Sequence, residues 1–179
     1  MDSEVLVTEM TKDELNKILK KHKLWLYSFG FLGKRADLSD ADLRFDNLRG
    51  VVLRNANLRY TGLSGANLRY ADLRNANLED AYLRFADLRD ANLRFADLKY
   101  ADLEGANLEN TGIYFFKGPR HNGIYNSKDD KLYIGCQVHS LDYWLENYVA
   151  IGKKYKYTDE EREVYGAWIK SLKEISWLK

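Results

Sequence analysis

Between Ala36 and Phe115 the chain repeats itself every five residues, sixteen times without a gap. The centre of each block is Leu, from Leu38 and Leu43 through to Leu108, and Ile113 in the last. Two residues before the centre stands Ala in 12 of 16 blocks, and between the two stands Asp or Asn, again in 12 of 16. The unit is therefore A-(D/N)-L-x-x, as in Ala71-Asp72-Leu73-Arg74-Asn75. A helix would smear a period of five around its whole circumference, because it turns every 3.6 residues. A long strand would keep Ala and Leu on one face for three residues and then lose the alternation. What fits is a short extended piece followed by a corner. Ala and Leu point inward, Asp or Asn points outward, and corner-tolerant residues close each block.

This unit resembles the pentapeptide-repeat family. The resemblance implies an all-β solenoid, a right-handed quadrilateral β-helix with four pentapeptides per coil. Residues 36–115 then make four coils, stacked ~4.8 Å apart. Open ends expose unpaired backbone and Leu, so caps are expected. Residues 1–35 supply an N-terminal segment with a capping helix at about 11–27. It opens on the capping box Thr11-Lys12-Asp13-Glu14, and Leu15, Ile18, Leu19, His22, Trp25 and Leu26 follow at helical spacing. The stretch His22-Lys23-Leu24-Trp25-Leu26 is similar to the opening of prophage-type members.

Residues 116–179 differ in composition, with 11 aromatics in 64 residues. Gly123–Asn126 and Lys131–Ile134 flank a polar loop and read as a β-hairpin. A helix is expected from about Ser140 to a stop at Gly152. A second capping box, Thr158–Glu161, opens a helix carrying Val164, Trp168, Leu172 and Ile175. The result is a small α+β module. It too resembles the C-terminal part of prophage-type members, through Ile134-Gly135-Cys136, His139-Ser140 and Trp144-Leu145. The Trp and Tyr faces look too large for one narrow coil end. Trp144, Tyr148, Trp168 and Leu172 are therefore expected at a homodimer interface.

The 28 Lys and Arg against 27 Asp and Glu give a net charge of +1, which predicts neither a nucleic-acid-coated protein nor an acidic mimic. The single cysteine, Cys136, excludes an intrachain disulfide. The acidic opening Met1-Asp2-Ser3-Glu4 is unlike a signal peptide, and no apolar run approaches ~18 residues. A cytoplasmic protein with no membrane partner is expected.

Candidate chemistry is sparse. Cys136 and His139 lie three residues apart, but a structural zinc needs four ligands and the other histidines are only His22 and His121. The expectation is no catalytic residue, no metal and no cofactor, with Cys136 a small buried hydrophobe and His139 a helix-entry residue. Asp46 and Val51 stand where Ala belongs, which predicts a first coil widened or looped beneath the cap.

The outward positions carry more information. The residue after the central Leu is Arg in nine blocks and Lys in one. In unbroken register, Arg49, Arg69 and Arg89 stack on one face and Arg54, Arg74 and Arg94 on the next. Outward rings such as Tyr70 and Phe95 accompany them, a composition common at binding hot spots. The expected function is a non-catalytic scaffold that presents this wall to a protein partner. The prophage resemblance implies a phage or mobile-element protein acting on a host factor. A second reading is a nucleotide or nucleic-acid binder. A third is the topoisomerase-binding DNA mimicry that some family members use for quinolone resistance. It is disfavoured because residues 36–115 hold 10 basic against 13 acidic residues, with the arginines outward.

Overall fold

A computed structural model describes residues 8–176. The chain forms two compact units, Met1–Thr111 and Gly112–Lys179. The acidic opening noted above lies outside the described residues.

In the first unit each five-residue block from 36–40 to 86–90 pairs with the block 20 residues later. Parallel bridges run from Asp37↔Asn57 to Asp87↔Asn107. Four blocks therefore make one turn. Hydrogen bonds explain why each position is what it is. In the block opening at Ala36, the Leu38 N–H donates to the Asn57 carbonyl at 2.8 Å, and the Asp40 N–H donates to the Arg59 carbonyl at 3.0 Å. The Asn57 N–H returns a bond to the Ala36 carbonyl at 2.9 Å. A bond from the Ala41 N–H to the Leu38 carbonyl closes the corner. The Asp or Asn side chain completes it by accepting the N–H two residues on, as Asp72 does from Arg74 and Asn67 from Arg69. The fifth residue of all fifteen blocks from Asp40 to Asn110 sits at positive φ. Asn, Asp and Gly take that conformation readily; the Phe and Tyr that share it pay strain for it. Inside, Ala and Leu are almost wholly buried through the middle of the stack, with Leu58, Leu68, Leu73, Leu78, Leu83 and Leu88 at 0% exposure.

One expectation about the coil is corrected. The register runs unbroken past Asp46 and Val51: the Asn67 and Asp72 N–H groups bond their carbonyls at 2.9 Å. The first coil is not widened, because Asp46 is only half-buried and keeps contact with solvent. At the other end, Ile113–Phe116 in the sixteenth block is the first strand of the second unit.

The N-terminal segment supplies β1 (Thr8–Glu9), which pairs in parallel with β2 (Ala41–Asp42) on the first coil. Helix α1 (Lys12–Tyr27) opens on the expected capping box, with Thr11 and Glu14 each bonding the other's backbone N–H. Leu15 and His22 are its buried residues. His22 stacks on Trp25, and its Nδ1 accepts the Ala36 N–H at 3.0 Å. The imidazole is therefore neutral, and burial pushes its pKa down. After α1 the chain folds back tightly through Gly33, at φ +78°, where an added Cβ would lie 2.2 Å from the Lys21 carbonyl oxygen. Gly33→Ala is expected to cost about 2–3 kcal/mol, from strain plus a backbone clash. Gly50→Ala, at φ +65° with nothing nearby, should cost only about 1 kcal/mol. Urea melts, with hydrogen exchange at Lys34, whose N–H donates to the Lys21 carbonyl, test the contrast.

The second unit is an antiparallel sheet in the order β3 (Ile113–Phe116), β4 (Gly123–Asn126), β5 (Lys131–Ile134), β6 (Gln137–His139). Helices α2 (Leu141–Lys154) and α3 (Asp159–Ser176) pack with it. The hairpin strands have the expected bounds, and Ser140 caps α2. Helix α2 runs through Gly152 rather than ending there. That glycine makes room for the Arg162 side chain, which would meet an added Cβ at 2.7 Å. Helix α3 buries Tyr165, Ile169 and Leu172, whereas Val164 is exposed.

For Trp144 and Leu172 the dimer expectation is corrected by this core. Trp144 is 2% exposed and Leu172 1%, and both pack with Tyr125, Leu132 and Ile134. Tyr148 and Trp168 pack against the same cluster. Trp168 stacks on Phe116 and sits so close to Gly123 that a Cβ there would be 2.2 Å from its ring. Hairpin and helices cover one another within one chain, because β3 adds a strand, and with it Tyr114 and Phe116, to the surface the helices can bury.

Candidate functional site

The 20-residue register places the outward arginines as expected. The bridges Asn47↔Asn67 and Asn67↔Asp87 align Arg49, Arg69 and Arg89; Val52↔Asp72 and Asp72↔Asn92 align Arg54, Arg74 and Arg94. Like charges at that spacing repel, and the structure relieves them in two ways.

Carboxylates answer some of them. Arg74 makes a forked pair with Asp72, with Nε and one Nη each 2.7 Å from a carboxylate oxygen. Arg89 pairs with Asp87 in the same way, at 2.8 and 2.6 Å. These hydrogen bonds hold both carboxyl groups below the usual carboxylate range. The mixed columns are also paired: Arg59 with Glu79, and Arg84 with Glu104.

Rings answer others. Arg49 and Arg69 lie over the Tyr70 ring at 4.8 and 5.4 Å from its centroid, so one phenol serves two guanidinium groups. Arg94 lies over Phe95 at 5.2 Å. The same neighbour contact recurs at Arg59 and Tyr60, Arg84 and Phe85, and Lys99 and Tyr100. This pairing is not among the sequence expectations. Its signal was present: a ring in the fifth position follows Arg or Lys in the fourth in every such block from Phe45 to Tyr100. The corner geometry turns the ring beneath the preceding cation. Phe45 and Phe85 lie over Gly65 and Gly105, as their alternation in one column predicts. Tyr70 remains 47% exposed and Phe95 51%, so the rings still offer surface to a partner.

The Cys136–His139 pair forms no site of nucleophile and base. Cys136 is exposed in the turn between β5 and β6, not buried as expected, because its neighbour Gly135 takes the positive-φ corner and turns the side chain out. Its sulfur accepts from the Gln137 amide at 3.2 Å, while His139 stacks on Tyr143 with centroids 4.1 Å apart. Among the described residues, no three His, Cys, Asp or Glu side chains are grouped to hold a metal ion. Among the same residues, no helix is long and apolar enough to cross a membrane.

Known proteins share the repeat. The family described as Pentapeptide repeats (8 copies) matches residues 36–75 and 76–111. Among solved structures, a pentapeptide repeat protein of the Arabidopsis thaliana thylakoid lumen is 29% identical, over 41% of this chain and 52% of its own, with a TM-score of 0.31. The protein alr5209 of Nostoc PCC 7120 is 36% identical, over 49% of this chain and 71% of its own, at a TM-score of 0.27. HetL of Nostoc sp. strain PCC 7120, involved in heterocyst differentiation regulation, is 36% identical over 43% and 42%, at 0.24. The chain thus spans about half the length of the thylakoid protein and less of HetL. No curated protein matches it. With the repeat's hydrogen-bonded register in place and the family match falling on it, the chain belongs to the pentapeptide-repeat family.

Proposed function

We propose that the protein is a non-catalytic interaction module, a right-handed quadrilateral β-helix whose arginine–aromatic wall docks a protein partner. The observation that carries this reading is the Arg49–Tyr70–Arg69 stack. Two cations and a half-exposed ring are held in place by a backbone ladder, so little side-chain freedom is lost on binding. Arginine and tyrosine in a pre-ordered patch are the residues that dominate protein interfaces. The likeness of α1 to prophage-type openings makes a host protein the partner class.

Nucleic acid is the weaker reading, because Arg74 and Arg89 already spend their charge on Asp72 and Asp87. The charge balance speaks in the same way against DNA mimicry.

The test is capture from host lysate with native and Arg49→Glu/Arg69→Glu protein in parallel, followed by reconstitution with the purified partner. Affinity should fall at least about tenfold in the double variant, since charge reversal at a central patch costs more than truncation. Undiminished affinity would move the interface off this face. Retention of nucleotides or oligonucleotides in place of a protein would favour the second reading.

A further inference from the structure

A different surface stands out at the end of α1. Phe29 is 92% exposed, Phe31 89%, Tyr27 76%, Leu32 63% and Leu24 55%. These are five large apolar side chains within nine residues. They are held out by an ordered loop. The Gly30 N–H donates to the Trp25 carbonyl, the Leu32 N–H to the Ser28 hydroxyl at 2.8 Å, and the Lys34 N–H to the Lys21 carbonyl. Phe29 itself takes φ 52°, a conformation that favours glycine, so the backbone accepts strain to present this ring to solvent.

The surroundings say what such a tip meets. From Leu15 to Ala36 the chain carries Lys17, Lys20, Lys21, Lys23, Lys34 and Arg35 and not one carboxylate. All six are exposed. Lys17, Lys20, Leu24 and Tyr27 follow at spacings of three and four along α1, opposite the face that buries Leu15 and His22. The turn sets Gly33 against Leu24 and brings Lys34 back beside Lys21. An exposed apolar tip on a segment whose exposed charges are all cationic fits a phase that is negative at its surface and apolar just beneath it.

We infer that the Tyr27–Leu32 loop is a membrane-surface anchor, inserting its rings into an anionic lipid bilayer while the surrounding lysines and Arg35 engage headgroup phosphates. Such an anchor lies on a bilayer and needs no spanning helix. The sequence expectation of no membrane partner rested on the length of apolar runs, which bears only on crossing. The loop belongs to the cap, so the Arg49–Tyr70–Arg69 wall is not consumed by it.

Co-sedimentation of the full chain with vesicles tests this. Binding is expected to phosphatidylcholine vesicles containing about one third phosphatidylserine, with much weaker binding to phosphatidylcholine alone and loss at high salt. Phe29→Ser/Phe31→Ser should lower the affinity at least about tenfold. Its thermal midpoint should not fall, because neither ring is packed. Lys20→Glu/Lys23→Glu should lower it on anionic vesicles only. Arg49→Glu/Arg69→Glu should bind vesicles as the native chain does. Failure of the native chain to bind anionic vesicles at tens of micromolar overturns the inference. So does vesicle binding that survives the Phe29/Phe31 change. Sedimentation of the native chain as a dimer that this change dissolves would assign the loop to a second copy instead.

Discussion

Leu73→Ala is expected to destabilise the coil by about 2–5 kcal/mol, toward the upper end of that range. The size follows from what surrounds the side chain. Leu73 is 0% exposed and stands in register with Leu53 and Leu93 in the turns on either side. Its backbone is tied both ways: its N–H bonds the Asn92 carbonyl, and the Asp72 carbonyl accepts from Leu53, each at 2.9 Å. Neighbouring turns cannot collapse into the space without breaking those bonds, so the cavity persists. Two controls sharpen the measurement. Arg74→Ala removes a forked but part-exposed ion pair with Asp72 and should cost at most about 1 kcal/mol. Leu108→Ala, at a half-buried position in the last turn, should cost clearly less than Leu73→Ala. Urea melts followed by far-ultraviolet circular dichroism rank the three. Equal losses at Leu73 and Arg74 would mean that the inward and outward positions have been assigned wrongly.

The coil was legible because each position of its unit answers one physical demand that recurs every turn. Leu fills the axis, Ala admits the neighbouring wall, and Asp72 or Asn67 satisfies the corner N–H. Register alone places Arg49, Arg69 and Arg89 in one column. What failed were positions where two demands have the same sequence signature. Gly152 looks like a helix stop, but the Arg162 side chain lies against it and the helix continues. Trp144 and Leu172 looked like an unpartnered face because the contribution of β3 to their core was not visible. The cation over the corner rings from Tyr60 to Tyr100 depends on a positive φ shared by Phe, Tyr and Asn alike, which no propensity scale assigns to an aromatic residue.

Trp144→Ala decides where that aromatic face is used, and the expected loss is about 3–5 kcal/mol from the second unit. Trp144 is 2% exposed among Leu132, Leu141 and Ile169, and its indole N–H donates to the Leu132 carbonyl at 2.8 Å. Truncation therefore opens a large cavity and removes a buried hydrogen bond together. Trp144→Phe keeps most of the apolar bulk and loses the donor, so it should cost about 1–2 kcal/mol. The readout is hydrogen exchange at the β4 and β5 amides, which Trp144→Ala should accelerate strongly while the amides of the coil interior, such as Leu73, keep their protection. An interface role makes the opposite pattern. A tryptophan covered by a second copy would change the concentration at which a dimer dissociates, and dilute protein would show native exchange in β4 and β5. A core tryptophan instead weakens the sheet at every concentration, because its partners Leu132, Leu141 and Ile169 lie in the same chain.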